Sequence, residues 1–299
     1  MTTLGNLRLA LILVGAVGCV DSKDSGDSGT DGGTGGGGDD VRSIDVGDCP
    51  ESGLAGASEL PLVTARHANG PFIMGTTDDP DASPEHDVSL TRRFLMSVTE
   101  VTQGQWTSLG FPNPSQNNTC ADCPVEQVTW HEAAAFADAL STSDGLATCY
   151  VCSGEGADTE CTAPTDPYAC EGWRLPTEAE WESAAAVDST TFAGNDDFEL
   201  VAWTAEAVGR PCPVGALQPT SLGVYDLSGN VSEWVHDGYA AYSSEAQTDP
   251  VGDNSAAERV VRGGSIFEVA DRAVVTARVG EDGTQVVPWR GFRLVRTVN

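Results

Sequence analysis

Nine cysteines in a chain of 299 residues set the first limit on its fold. Residues 1–18 carry one positive charge, Arg8, then an apolar stretch from Leu9 to Val17 and small residues before Cys19. Crossing a bilayer takes about 20 apolar residues, so this segment reads as a secretory signal. The other cysteines are Cys49, Cys120, Cys123, Cys149, Cys152, Cys161, Cys170 and Cys212, an even set, which in an exported protein predicts a disulfide framework. The spacings Cys120-x-x-Cys123 and Cys149-x-x-Cys152 also suit a zinc ribbon. Oxidation outside the inner membrane favours disulfides over zinc. On the order of a hundred pairings are open to eight cysteines, and the sequence does not choose among them.

The run Ala16-Val17-Gly18-Cys19 looks like a bacterial lipobox. That resemblance implies cleavage before Cys19, lipidation of its thiol and, with Val20 next rather than aspartate, an outer-membrane lipoprotein of the cell envelope whose lipid anchor is its membrane partner. Residues 19–45 then form the lipidated cysteine and an Asp/Gly-rich tether. Treated as a Gly/Ser coil, the stretch 21–40 spans about 25 Å. Its aspartates lack the Asp-x-Asp-x-Asp-Gly spacing of a calcium loop. The folded domain is expected over residues 46–299, with a cysteine-rich insertion at about 147–172.

Acidic residues number 45 against 15 basic ones, a formal charge of −30, and Lys23 is the only lysine. A polyanion needs a clustered basic face, so no nucleic-acid partner is expected, and anionic membrane surfaces are disfavoured for the same reason. Hydrophobic residues at 40% and charged residues at 20% suit a globular body.

Two capping boxes announce helices. Thr129-x-x-Glu132 opens one over residues 129–141, and Thr177-x-x-Glu180 opens another to about Ala186. A third helix is expected over residues 99–109, weakened by Gly104. Short strands are expected at 70–76, closed by Gly75, at 94–98, at 260–262 and at 291–295. In the last of these Phe292 and Leu294 alternate with Arg293 and Arg296. The rest reads as Gly- and Pro-rich loop, so the expected class is α+β with low secondary-structure content.

Four blocks then stand together: TEVTQGQW at 99–106, WRLPTEAEWE at 173–182, YDLSGNVSEW at 225–234, and RGGS at 262–265 followed by RGFRLV at 290–295. In this order they resemble the formylglycine-generating enzyme family, also called sulfatase-modifying factors. The resemblance implies a C-type-lectin-like, loop-rich fold. It further implies a copper oxidase whose metal sits between two thiolates soon after the Gly-Gly-Ser, since copper(I) takes soft ligands. Those two places fall on Glu268 and Ala273, and residues 263–299 contain no cysteine, so copper is not expected. Iron is not expected either: His67, His86, His131 and His236 are widely separated, without a His-x-x-x-His pair.

One implied ligand set survives. The loop matching a family calcium site places Asp226, Gly229, Val231 and Glu233 at the ligand positions, a hard-oxygen set that suits structural calcium. The family's second calcium loop falls near residues 201–207, which offer few side-chain oxygens beyond Glu206.

Arg259, Arg262, Arg272, Arg278, Arg290, Arg293 and Arg296 crowd the last 41 positions. They make either an internal ion-pair scaffold, the favoured reading, or a surface for carboxylate or phosphate groups. Function follows the site rather than the fold. The favoured reading is therefore a non-catalytic, envelope-anchored binding or scaffold module for a protein, peptide or glycan ligand. The alternative is an oxidoreductase of this family with a changed active site, for which Ser265 and Glu268 are the candidate residues.

Overall fold

The computed structural model describes Cys49, Leu54 and residues 60–65, 70–116, 118–203 and 209–298. The expected signal, Cys19, the tether, His67 and Glu206 lie outside the described residues.

Threonine caps fix where the longer helices begin. Thr102 opens α1 (Gln103–Ser108), Thr129 opens α2 (Trp130–Ser143) and Thr177 opens α3 (Glu178–Ala185). In each, the threonine hydroxyl accepts the backbone N–H three residues on, and the Gln or Glu at that position bonds back to the cap's own N–H. The first helix therefore starts later than the expected Thr99. Val101 is still extended, its N–H donating to the Phe292 carbonyl, and Thr102 is the true cap. A short α4 (Phe198–Val201), capped by Asp197, was not legible as periodicity because it is a single turn.

The strands are β1 (Leu62–Ala65), β2 (Phe72–Met74), β3 (His86–Ser89), β4 (Arg93–Ser97), β5 (Val151–Ser153), β6 (Glu160–Thr162) and β7 (Trp173–Arg174). They continue with β8 (Ser232–Gly238), β9 (Gln247–Thr248), β10 (Glu258–Arg262), β11 (Arg278–Asp282), β12 (Arg290–Phe292) and β13 (Val295–Val298). One sheet runs β1-β4-β13-β7 and a second β11-β10-β8-β12; a third is β2-β3-β9, and β5-β6 is a hairpin. The class is α+β and loop-rich, as the sequence implies.

The expected strand at 291–295 is two strands in different sheets. β12 pairs parallel with β8, and β13 pairs antiparallel with β4 and β7. Nor does that stretch alternate between core and solvent: Arg293 is 0% exposed, as buried as Phe292 and Leu294 on either side. Its guanidinium donates to both oxygens of Glu233 at 2.7–2.9 Å, and this pairing admits a charge to the interior.

Strand faces sort the core into two layers. Leu95, Trp234 and Val261 join Trp106, Trp130 and Phe136 of α1 and α2. Phe94, Met96, Val235 and Val260 join Trp181 and Ala184 of α3. Five tryptophans are fully buried, and each indole N–H has an acceptor: Pro112, Val235 and Val128 carbonyls for Trp106, Trp130 and Trp234, and Asp144 and Glu233 carboxylates for Trp173 and Trp181.

The eight described cysteines pair as Cys49–Cys212, Cys120–Cys123, Cys149–Cys170 and Cys152–Cys161. The second C-x-x-C motif is thus split between two bridges, which leaves no zinc-ribbon thiolates. Cys152–Cys161 joins the two strands of the β5–β6 hairpin and Cys149–Cys170 closes the segment around it, while the Asp138 carboxylate on α2 accepts the Cys149 and Tyr150 N–H groups.

Two outcomes are expected. Thiol titration of the denatured, unreduced body (residues 41–299) should find no free thiol, and any titratable pair would break the pairing above. In urea, Arg293→Met should cost about 3–5 kcal/mol, because it strands the buried Glu233. Adding Glu233→Gln should restore part of that loss, whereas simple additivity would show the two groups uncoupled.

Candidate functional site

β10 and β11 are paired up to Arg262 opposite Arg278, and residues 263–277 loop out between those ends. Gly264 sits at φ +62°, where a Cβ would lie 2.6 Å from the Arg272 carbonyl oxygen, so the loop closes only on glycine. Ser265 and Glu268 are brought together inside it. The Ser265 hydroxyl donates to Glu268 Oε2 at 2.9 Å, and the Glu268 N–H donates to the Ser265 carbonyl at 3.0 Å. These bonds close a turn. Ala273, at the second place where the resemblance puts a thiolate, is buried against Phe192 and Val201. Its carbonyl accepts from the Ser228 hydroxyl at 2.7 Å. Cys212, the nearest thiol in sequence, is held by Cys49.

Beside Glu268 lies a hollow of about 20 Å³, lined also by Ser232, Arg272 and Arg290, with room for about one water. Arg290 donates to Gln285 at 2.7 Å and lies 4.6 Å over the Trp234 ring. Burial lowers its pKa, against the pull of Glu281 and Glu268. Next to the hollow Phe267 stands 43% exposed with its ring 5.3 Å from that of Trp289, and Val269 is 70% exposed. An apolar, aromatic surface beside arginines is the composition of a recognition face.

The loop at 225–234 is the second cluster. Asp226, Gly229 and Asn230 all take positive φ. The Asn230 amide bonds to both the N–H and the carbonyl of Cys212, which ties the loop to the Cys49–Cys212 bridge. Asp226 Oδ2 accepts the Gly215 N–H at 2.6 Å. Both Glu233 oxygens are taken by Arg293, and one also by the Trp181 indole at 2.9 Å. In its stead stands Glu100 from the TEVT block, 0% exposed, with neither oxygen bonded to another residue. Burial and the facing Asp226 push its pKa well up. Burial likewise raises Asp226, to about 6. Arg293, already held by Glu233, pulls both acids partly back down, and two adjacent carboxylates so placed fit a hard cation, with the Gly229 and Val231 carbonyls as the further donors of the implied set. Among the described residues no group of three or more His, Cys, Asp or Glu side chains is arranged to hold a metal, so any ion here depends on backbone oxygens. Glu100 was not singled out from the sequence, where an acid one residue after a threonine carries no ligand spacing.

The described histidines are dispersed. His131 Nδ1 accepts the Cys161 N–H at 3.0 Å, and burial together with Arg259 lowers its pKa. His236 faces the Tyr150 hydroxyl at 3.2 Å, and burial lowers it to about 3.

The crowded arginines divide. Arg262 and Arg278 reach Glu178 at 3.3 and 2.6 Å, Arg262 also binds Glu182, and Arg293 holds Glu233. Arg259 has no ion pair among the described residues; it lies 4.0 Å over the Trp130 ring and donates to the His236 and Asn254 carbonyls. Arg272 is exposed at the rim of the hollow. Most of the set is scaffold, with its acids far away in sequence rather than on neighbouring strand positions.

Residues 63–298 match the sulfatase-modifying factor enzyme 1-like domain. The chain is 28% identical over 234 residues to a protein named chaperone protein LppX of Paenibacillus barcinonensis, covering 68% of this chain and 80% of that one. It is 29% identical over 223 residues to the formylglycine-generating enzyme of Streptomyces coelicolor, covering 61% and 70%. Among solved structures, Treponema denticola variable protein 1 superposes with a TM-score of 0.69 at 29% identity, over 79% of this chain and 94% of that one. PvdO of Pseudomonas aeruginosa shares the fold at a TM-score of 0.60 and 23% identity, over 77% and 92%. With the four motif blocks, the buried α3 and the β8–β12 core all inside the matched span, the chain belongs to the sulfatase-modifying factor enzyme 1-like family.

Proposed function

We propose that the protein is a non-catalytic binding module of the cell envelope, held at the membrane by lipid on Cys19, whose recognition face is built from residues 263–272 and the neighbouring Trp289 and Arg290. One observation carries this reading. The two places that would hold copper thiolates are a turn-forming glutamate, Glu268, and a buried methyl, Ala273. Every described cysteine is in a disulfide, so no thiolate pair stands elsewhere to replace them. The partly exposed Phe267–Trp289 pair and the exposed Arg272 supply an aromatic and cationic surface of the kind that protein, peptide or glycan ligands use. The name of the Paenibacillus relative is in keeping with an envelope lipoprotein that acts on other proteins by binding.

A copper(I) competition titration of the body at residues 41–299 should show no tight site, and Glu268→Ala should leave the protein's folding unchanged. One tightly held copper ion per chain, or a metal-dependent turnover abolished by Glu268→Ala, would overturn the reading and restore the oxidase.

Calcium is proposed as the structural ion of this module, with Glu100 and Asp226 as its carboxylates, Gly229 and Val231 as carbonyl donors, and Glu233 positioning the loop through Arg293. The unpartnered oxygens of Glu100 are the observation that supports it. The pH dependence follows from the raised acids. An unfolded aspartate titrates near 3.9, so between about pH 4 and pH 6 the native Asp226 binds more protons than the unfolded one. In EGTA, stability from this group is therefore present at low pH and lost as pH rises through about 6. Calcium, which needs the ionised form, should raise the melting temperature at pH 7.5 and lose its effect below about pH 6. Glu100→Gln should weaken that calcium shift; an undiminished shift would remove Glu100 from the site.

A further inference from the structure

A cleft of about 160 Å³ opens between the β2-β3-β9 sheet, the start of α3 and the end of β8, on a part of the molecule distinct from the 263–277 loop. Its walls include Met74, His86, Ala179, Asp237, Tyr242 and Gln247. At about 30 Å³ per water it holds the volume of about five water molecules.

The polar groups of this cleft are unevenly supplied. Asp237 is 3% exposed, and its oxygens accept the backbone N–H groups of Glu178 and Gly252 at 2.7 and 2.6 Å. The buried acids around it, Glu178, Glu180, Glu182 and Glu233, each have an arginine, and Asp237 has none among the described residues. A carboxylate has about four acceptor sites, so two remain on Asp237. Burial and the neighbouring Glu178 push it up to about 7, as happens to a carboxylate short of positive charge.

His86 supplies the second acceptor. It is 5% exposed, and its Nδ1 lies 3.1 Å from the Pro84 carbonyl. A carbonyl only accepts, so Nδ1 carries a proton, and in the neutral ring Nε2 is then the acceptor. No protein group among the described residues bonds to Nε2. The arginine and tyrosine donors at the cleft are already engaged. Arg278 gives Nε and Nη2 to Glu178 and Nη1 to the Asp81 and Ala240 carbonyls, and the Tyr242 hydroxyl donates to Glu178. An anionic ligand would find no free cation here, whereas a ligand rich in N–H donors finds an ionisable carboxylate and a lone pair. The Tyr242 ring lies 4.9 Å from that of His86 and already carries the Arg278 guanidinium 4.1 Å over it, so the ligand cation rests on Asp237 and His86 rather than on that ring.

We propose that this cleft binds a small organic cation, a primary ammonium or guanidinium group on a short carbon chain, with Asp237 and the Nε2 lone pair of His86 as its acceptors. The ligand could be a free amine or the end of a lysine or arginine side chain, which share that chemistry.

The test titrates n-butylammonium and methylguanidinium into the body at residues 41–299 and follows the histidine imidazole nitrogens by long-range proton–nitrogen spectra. Controls are n-butanol, tetramethylammonium and acetate. His86→Phe identifies the His86 signal by its loss and keeps a ring against Tyr242. The expected result is a saturable shift of His86 Nε2 with a dissociation constant on the order of 1 mM, no such shift with tetramethylammonium or acetate, and an at least tenfold weaker affinity in a folded His86→Phe variant. A lysine-containing tripeptide that binds as well as butylammonium places the cation on peptides, and one that does not places it on free amines. No shift of His86 in the wild-type protein overturns the proposal, as does equal binding of n-butanol. Because the wild-type spectrum decides the matter, a failure of His86→Phe or Asp237→Asn to fold does not shelter it.

Discussion

The fold hangs on α3, a helix of eight residues that is buried along its whole length and yet carries three glutamates. Burying a carboxylate is costly unless a cation and hydrogen bonds meet it. Each acid on α3 is met from a different part of the chain: Glu180 by Arg174, Glu182 by Arg262, and Glu178 by Arg262 and Arg278 together. From the same helix the Trp181 indole reaches Glu233 on β8, which in turn holds Arg293. The three sequence blocks around residues 174–182, 233 and 262–293 are thus one electrostatic object. Burial alone would push Glu178 up, but Arg278 and Arg262 hold its carboxyl below the usual range. Placing the arginines correctly is what places the strands.

The disulfides serve a different end of the molecule. Two of them secure the β5–β6 hairpin, whose strands bury few side chains, and one ties the segment at Cys49 to the 212–230 region through Cys212. Short strands and long loops gain little from β pairing, so constraint of the unfolded chain makes up the difference. The ionic core and the covalent staples divide the labour: charges order the centre, and sulfur orders the loop-rich periphery.

Much of this was legible in the sequence, and the exceptions are instructive. The Thr-x-x-Glu boxes gave α2 and α3 nearly to the residue because a cap is local chemistry. The cysteines gave a framework without its pairing, since pairing depends on distances between remote segments. β8 was missed because Ser-Glu-Trp-Val-His-Asp-Gly reads as a polar loop, and only tertiary partners make it the centre of a sheet: Arg293 for Glu233, Tyr150 for His236, and two backbone N–H groups for Asp237. The same blindness hid Glu100. Its two oxygens matter because they face another acid, Asp226, and have no arginine of their own, and a linear sequence does not record such a juxtaposition. The arginines showed the reverse case: their number was obvious, and their partners, 60 to 100 residues away, were not.

The 263–277 loop, where the resemblance places a copper site, is joined to the ionic core at both ends. The loop starts at Arg262 and ends at Arg278, two residues that face each other across β10 and β11 and both anchor on Glu178. Between them the loop is packed in part: Ile266 and Ala273 are buried and Arg262 donates to the Val275 and Thr276 carbonyls, while Phe267, Val269 and Arg272 stand exposed. A substitution inside the loop changes the face it presents and leaves the anchors intact. A loop braced at both ends with exposed side chains at Phe267, Val269 and Arg272 is well suited to vary at those positions on one framework. The same reasoning fixes where variation is barred: a change at Arg262 or Arg278 would strand Glu178 and unseat α3, and the loop anchored on them would be displaced with it.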